Sequence, residues 1–274
     1  MTKIKIALCQ MNVIDNKEEN LKKANSMINK ACKNADFIVL PEMFNCPYSN
    51  DKFIEYGEVE NDSYTLNRIS SLAKSNKTYI LAGSIPEKEN EKLYNTSYLF
   101  NKEGDIIAKH RKMHLFDIDV KDKITFKESD VLTAGYEFTT AETEFGKIGI
   151  GICYDIRFPE LARVMVEDGA LILFYPGAFN MTTGPAHWEL LFKSRALDNQ
   201  VYCVGVAPAL NRDASYHSFG HSIITNPWGE IIAEAGEKEE IIYGEIDLDE
   251  IKKIREELPL LKNKREDLYE IIRK

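Results

Sequence analysis

The sequence lacks most of the features that would take it out of the ordinary globular class. It has no run near the roughly 20 consecutive apolar residues that a membrane-spanning helix needs. Its start, MTKIKIALCQ, carries only a short apolar run broken by Lys5, with no cleavage-site pattern, so a soluble, cytoplasmic protein is expected. Cysteine is sparse: Cys9, Cys32, Cys46, Cys153 and Cys203 are odd in number, scattered, and contain no C-x-x-C pair. That excludes a disulfide framework and a zinc knuckle, and leaves reduced thiols of which one could be reactive. Positive charge is not in excess: 35 Lys and Arg stand against 44 Asp and Glu, a net charge of −9. A phosphate backbone is repelled by that field, and no nucleic-acid partner is expected. No Pro/Ser/Gly-rich or single-sign stretch reads as a linker. What remains is a chain of 274 residues, 44% hydrophobic, long enough to bury a large core and read as one domain over 1–274.

Hydrophobic periodicity shows the same order twice. A β-branched run from Lys3 to Gln10 precedes a helical stripe (Leu21, Ala24, Ile28, Ala31) and a second apolar run, Phe37 to Leu40, that ends at Pro41. Lys147 to Ile152, the stripe Leu161, Val164, Met165, and Leu171 to Tyr175 ending at Pro176 repeat that order. Each half continues with a further helix and strand. Each then reaches a hairpin candidate, residues 95–110 and 220–235, sharing an Asn-x-x-Gly-[Asp/Glu]-Ile-Ile core. The offset drifts along the chain, as loop insertions in an ancient duplication would produce. Parallel strands need helices over their faces, so the expected fold is α/β: a four-layer α-β-β-α sandwich built from two similar halves. Sites in such folds lie beyond the carboxyl ends of the strands. Glu42, closing the second strand, and Cys153, closing the fifth or sixth, are therefore expected at one end of the domain. Residues 113–135 show weak periodicity and read as a long functional loop.

Cys153 follows Gly149-Ile-Gly-Ile152 and precedes polar Tyr154, Asp155 and Arg157, a strand-to-helix elbow that would expose a thiol and aim backbone N–H groups at its target. Cys9, Cys32 and Cys203 each fall within an apolar strand or helix face, and these and Cys46 are read as packing residues. A thiol with an ordinary value of about 8.5 needs a base or a cation to become a nucleophile at neutral pH. Glu42 could take its proton. Lys112, at the exit of a hairpin strand, could lower the thiol and hold an oxyanion.

With these residues the sequence resembles the nitrilase (carbon–nitrogen hydrolase) superfamily, whose Glu-Lys-Cys triad is carried by Leu40-Pro-Glu42, His110-Arg-Lys112 and Gly151-Ile-Cys153-Tyr-Asp155. Within it the chain is similar to the omega-amidase branch through four segments: 111–119, 125–128, 175–189 and 194–200. The resemblance implies hydrolysis of a terminal amide through a Cys153 thioester, with Glu42 as base and acid and with Lys112 and the Tyr154 N–H holding the oxyanion. It implies a second glutamate at Glu128, orienting Lys112 or the substrate. The implied substrates are monoamides of small dicarboxylates such as α-ketoglutaramate and α-ketosuccinamate. Arg157 and Thr183 are the candidates for the far carboxylate, and Tyr48 and Phe116 for the pocket wall. No metal or other cofactor is implied.

Other readings are a Cys-His hydrolase using His187 or His221, a non-catalytic metal-binding module of His187, His217 and His221, and the same triad acting on a nitrile, an N-carbamoyl amino acid or another aliphatic amide. The tail from Asp249 carries an apolar stripe (Ile251, Ile254, Leu258, Leu261, Leu268, Ile271, Ile272) longer than its own domain needs. The resemblance implies a homodimer with this tail at the contact.

Overall fold

A computed structural model describes residues 3–122 and 124–272. The first half runs β1 (Lys3–Gln10), α1 (Lys17–Ala31), β2 (Phe37–Val39), α2 (Asn50–Tyr56), α3 (Tyr64–Asn76), β3 (Tyr79–Glu89), β4 (Lys92–Phe100) and β5 (Ile106–Arg111). A small ribbon of β6 (Asp117–Val120) and β7 (Ile124–Lys127) and the strand β8 (Thr139–Thr143) follow. The second half runs β9 (Gly146–Ile150), α4 (Pro159–Glu167), β10 (Ile172–Pro176), α5 (Gly184–Asn199), β11 (Tyr202–Val206), β12 (Ile223–Thr225) and β13 (Ile231–Glu234), then β14 (Glu240–Asp247) and α6 (Leu248–Glu257).

Two six-stranded sheets result, ordered β14-β1-β2-β3-β4-β5 and β13-β12-β11-β10-β9-β8. Strand alternation sorts the side chains into layers. Ile4, Ile6 and Leu8 of β1 meet Ile148, Ile150, Phe174 and Val204 of the other sheet in the central layer, whereas Ala7 and Cys9 face the helices. Leu21, Ala24, Ile28 and Ala31 of α1 join Leu66, Ile69 and Ala73 of α3 over the first sheet. Leu161 and Met165 of α4 and Trp188, Phe192 and Ala196 of α5 cover the second. The architecture is the expected α-β-β-α sandwich.

The two hairpins match in detail. Asn101 Oδ1 accepts from the N–H of Glu103 (3.0 Å) and Asp105 (2.8 Å), and Asn226 Oδ1 accepts from Trp228 (3.1 Å) and Glu230 (2.9 Å). Gly104 and Gly229 take the same left-handed backbone, φ 84 and 82. Both ladders slip at the same place, Leu99/Phe100 and Ile224/Thr225. One feature of the pairing was not anticipated. β8 follows the first hairpin in the chain but pairs with β9 of the second sheet, and β14 follows the second hairpin but pairs with β1 of the first. Each half thus completes the other's sheet.

Three expectations are corrected. Residues 113–135 are not an unstructured loop, because the alternation of Asp117-Ile-Asp-Val120 supports a two-stranded ribbon with β7. Glu42 and Cys153 each lie three residues past a strand end, at Val39 and Ile150, and the strand before Cys153 is the ninth. The apolar tail is not one long helix: α6 stops before Pro259, which cannot continue it. Ile251 and Ile254 pack into the chain's own core, and Leu268 and Ile272 are exposed. Among the described residues no helix is long and apolar enough to cross a membrane.

Candidate active site

The segment carrying Glu42 is seated on β3. The Ser84 hydroxyl accepts from Met43 N–H (3.0 Å), and Ser84 N–H donates to the Pro41 carbonyl (3.4 Å). This close backbone approach requires Gly83, where a Cβ would lie 2.0 Å from the Pro41 oxygen. Lys112 follows β5, and its N–H donates to the Asn95 carbonyl (2.9 Å). Cys153 opens a tight turn over residues 153–157 in a left-handed conformation, φ 48. Glu128 begins the turn after β7.

These four side chains converge and are buried. The Lys112 ammonium donates to Glu42 Oε1 (3.0 Å) and Glu128 Oε1 (2.8 Å). Glu42 Oε1 also accepts from Asn95 Nδ2 (2.8 Å), and Oε2 from the N–H of Ala178 (2.7 Å). Glu128 accepts from the Tyr48 hydroxyl (2.6 Å) and, through Oε2, from Phe116 N–H (2.6 Å). Glu42 and Lys112 lie near enough to the Cys153 thiol to act on it electrostatically. The elbow does not expose Cys153, which is 4% accessible.

Burial sets the charge states. It pushes the Cys153 thiol well above its ordinary value, and the Glu42 carboxylate adds to this while Lys112 opposes it. Glu42 is raised as well, by burial first, with Lys112 pulling it down and Glu128 pushing it up. Burial alone would lower Lys112, but Glu128 and Glu42 hold it well above the ordinary range. The thiol is therefore protonated at rest, beside a carboxylate made more basic and a fixed cation. Transfer of the thiol proton to Glu42 leaves a thiolate facing an ammonium, an arrangement suited to attack on a carbonyl carbon.

Cys153 lines a narrow slot with Phe116, Tyr154, Arg157, Thr183 and Tyr216. A roomier cleft of about 480 Å³ touches Glu42 and Tyr48 and shares Ala178 and Tyr216 with the slot. Arg157 lies over the Phe179 ring (4.7 Å) and meets His187 Nδ1 at 3.2 Å; among the described residues it has no carboxylate partner. Thr183 N–H donates to Asn180 Oδ1 (3.0 Å). Tyr48 is more than a wall, because its hydroxyl joins the carboxylate network and its ring packs on Tyr216 (4.6 Å). The charged groups that act most on Cys153 are Glu42, Lys112 and Glu128. His221 instead lies 3.7 Å from Glu234, and among the described residues no group of three or more His, Cys, Asp or Glu side chains is arranged to hold a metal ion.

Sequence reasoning missed Asn95, Ser84 and Tyr216. Gly83-Ser84 interrupting an apolar strand was the available signal for a close backbone approach. Nothing in the spacing linked Asn95 to Glu42.

Fold and family together define an amide-hydrolysing enzyme. Residues 5–256 match the carbon-nitrogen hydrolase family, and the chain belongs to it. It is 48% identical to omega-amidase NIT2 of Bos taurus, over 99% of this chain and 98% of that protein, and 48% identical to omega-amidase NIT3 of Saccharomyces cerevisiae, over 97% and 95%. The crystal structure of yeast Nit3, described as a member of branch 10 of the nitrilase superfamily, superposes with a TM-score of 0.89 at 45% identity, covering 96% of this chain and 97% of that one.

Proposed function

We propose that the protein is an omega-amidase, cleaving the terminal amide of small dicarboxylate monoamides such as α-ketoglutaramate and α-ketosuccinamate to ammonia and the acid. The observation that carries the chemistry is the burial of Cys153 together with Glu42 and Lys112, which are bonded to each other and both act on the thiol. Glu42 takes the thiol proton as sulfur attacks the amide carbon. Lys112 and the Tyr154 N–H hold the resulting oxyanion. Collapse breaks the C–N bond, and Glu42 passes its proton to the departing ammonia, leaving a thioester. Glu42 then takes a proton from water, whose oxygen attacks the thioester, and returns that proton to the thiolate. One carboxyl with a raised value suits all these roles. Glu128 fixes the Lys112 ammonium.

The substrate reading is supported by the similarity to proteins named omega-amidase and by Arg157, a cation beside the nucleophile with Thr183 in the same slot. A guanidinium that has no carboxylate partner among the described residues suits the far carboxylate, and Phe116 and Tyr48 bound the chain between. The protein is expected to work in the cytoplasm, as a homodimer with the tail from about 249 at the contact.

Ammonia release from α-ketoglutaramate, a nitrile and an N-carbamoyl amino acid, each with wild type and Cys153→Ala, tests the proposal. Turnover of the keto-acid amide alone, abolished in the variant, is expected. Activity only on another substrate overturns the substrate class, and undiminished activity of Cys153→Ala overturns the mechanism.

A further inference from the structure

Two residues beyond the nucleophile, the Asp155 carboxylate is fully buried and has no Lys or Arg partner among the described residues. It accepts four hydrogen bonds instead. Oδ2 takes the N–H of Ile152 (2.9 Å) and His110 Nε2 (3.1 Å), and Oδ1 takes the N–H of His114 (2.9 Å) and His114 Nδ1 (2.7 Å). Burial alone would raise this carboxyl, but the two imidazoles and the Ile152 N–H hold it below its ordinary range.

The placement of these partners is what matters. The bond to Ile152 N–H closes a ring around Cys153, whose left-handed backbone, φ 48, needs outside restraint. The other three bonds go to His110 and His114, which stand two residues before and two after Lys112. His110 is further fixed by Thr139 Oγ1 (3.0 Å) and His114 by stacking on Phe158 (3.6 Å between centroids). One carboxylate therefore ties the nucleophile's turn to both flanks of the lysine.

We propose that Asp155 is a positioning residue for the amide hydrolysis, setting Cys153 in register with Lys112 through His110 and His114. The proposal rests on the Cys153-Glu42-Lys112 reading above.

Asp155→Asn is the sharpest test, because the shape is kept and only one oxygen becomes an NH2 group. Each carboxylate oxygen faces one backbone N–H, of Ile152 or of His114, and a backbone N–H cannot change tautomer as an imidazole can. Whichever way the amide sits, donor meets donor and one flank is released. His114→Gln is the milder companion, its side chain being 29% accessible. Both are assayed with α-ketoglutaramate for kcat and KM, and with iodoacetamide for the alkylation rate at Cys153, using Cys153→Ala as the blank. Rates are expressed per folded chain, with thermal midpoints measured separately. Since misplacement by about 1 Å costs about 100-fold, kcat and the alkylation rate are expected to fall about 100-fold in Asp155→Asn and about tenfold in His114→Gln, with KM within about threefold. Wild-type rates per folded chain, whatever the thermal midpoint, overturn the proposal, and His114→Gln decides if Asp155→Asn does not fold. Failure of the underlying reading looks different: Cys153→Ala itself would retain activity.

Discussion

Replacing Lys112 by methionine leaves the carboxylates of Glu42 and Glu128 buried without the cation that both now contact, at 3.0 and 2.8 Å. Removing one partner from a buried ion pair costs about 3–5 kcal/mol. The variant has one escape, which is to bind a proton. Glu42, already raised by burial, takes it. From an ordinary value of 4.5, holding that proton at pH 7 costs about 3.4 kcal/mol, at about 1.4 kcal/mol per pH unit, in agreement with the first figure. The sign follows from proton linkage. A raised carboxyl makes the folded variant bind more protons than its unfolded chain, so stability is fullest below the unfolded value and falls as pH rises toward the folded one. In the wild type Lys112 opposes that rise. The deficit relative to wild type is thus expected to grow as pH rises from 5 to 7, with about 3–4 kcal/mol as its upper bound at pH 7 because Glu42 is raised in the wild type as well. Urea unfolding of both proteins from pH 5 to 8, at one protomer concentration, measures it. A deficit that does not change with pH, or one below about 1 kcal/mol at pH 7, would refute the reasoning.

Cys153→Gly is expected to be about 1 kcal/mol more stable than Cys153→Ala, because only glycine takes φ 48 without steric cost; urea midpoints of the two inactive variants compare them. Asn95→Leu removes the donor to Glu42 Oε1 and should lower kcat on α-ketoglutaramate at least about tenfold with the circular dichroism spectrum unchanged. An unaffected kcat would show that the remaining donors suffice to hold Glu42. Light scattering is expected to give a dimer for the full chain and a monomer for a chain ending at Glu257. An unchanged mass after truncation would place the contact elsewhere.

Much of the fold was legible because period and punctuation are local properties. The stripe Leu21, Ala24, Ile28, Ala31 became the buried face of α1, and the two Asn-x-x-Gly cores became turns with the same hydrogen bonds and matching ladder slips. The exchange of β8 and β14 between the sheets was not legible, since nothing in an isolated strand says which of two equivalent edges it will join. The ribbon of β6 and β7 carried a period-2 signal, but one too short and too charged to stand out from a loop.

For the site, the sequence by itself determined the kinds of group available: a thiol after a glycine-rich strand, a carboxylate after Leu40-Pro41, and a lysine leaving a hairpin. It also carried the repeat that implies two halves in one core. Only the tertiary structure decided how those groups behave. Burial of Glu42, Lys112, Glu128 and Cys153 together raises the thiol and the carboxyl, and the distances between them set the opposing charge effects. Asn95 and Asp155 gained their parts in the same way, through hydrogen bonds across 53 and 41–45 residues of chain. Desolvation and Coulomb energy depend on separation in space, which residue type and local spacing do not encode.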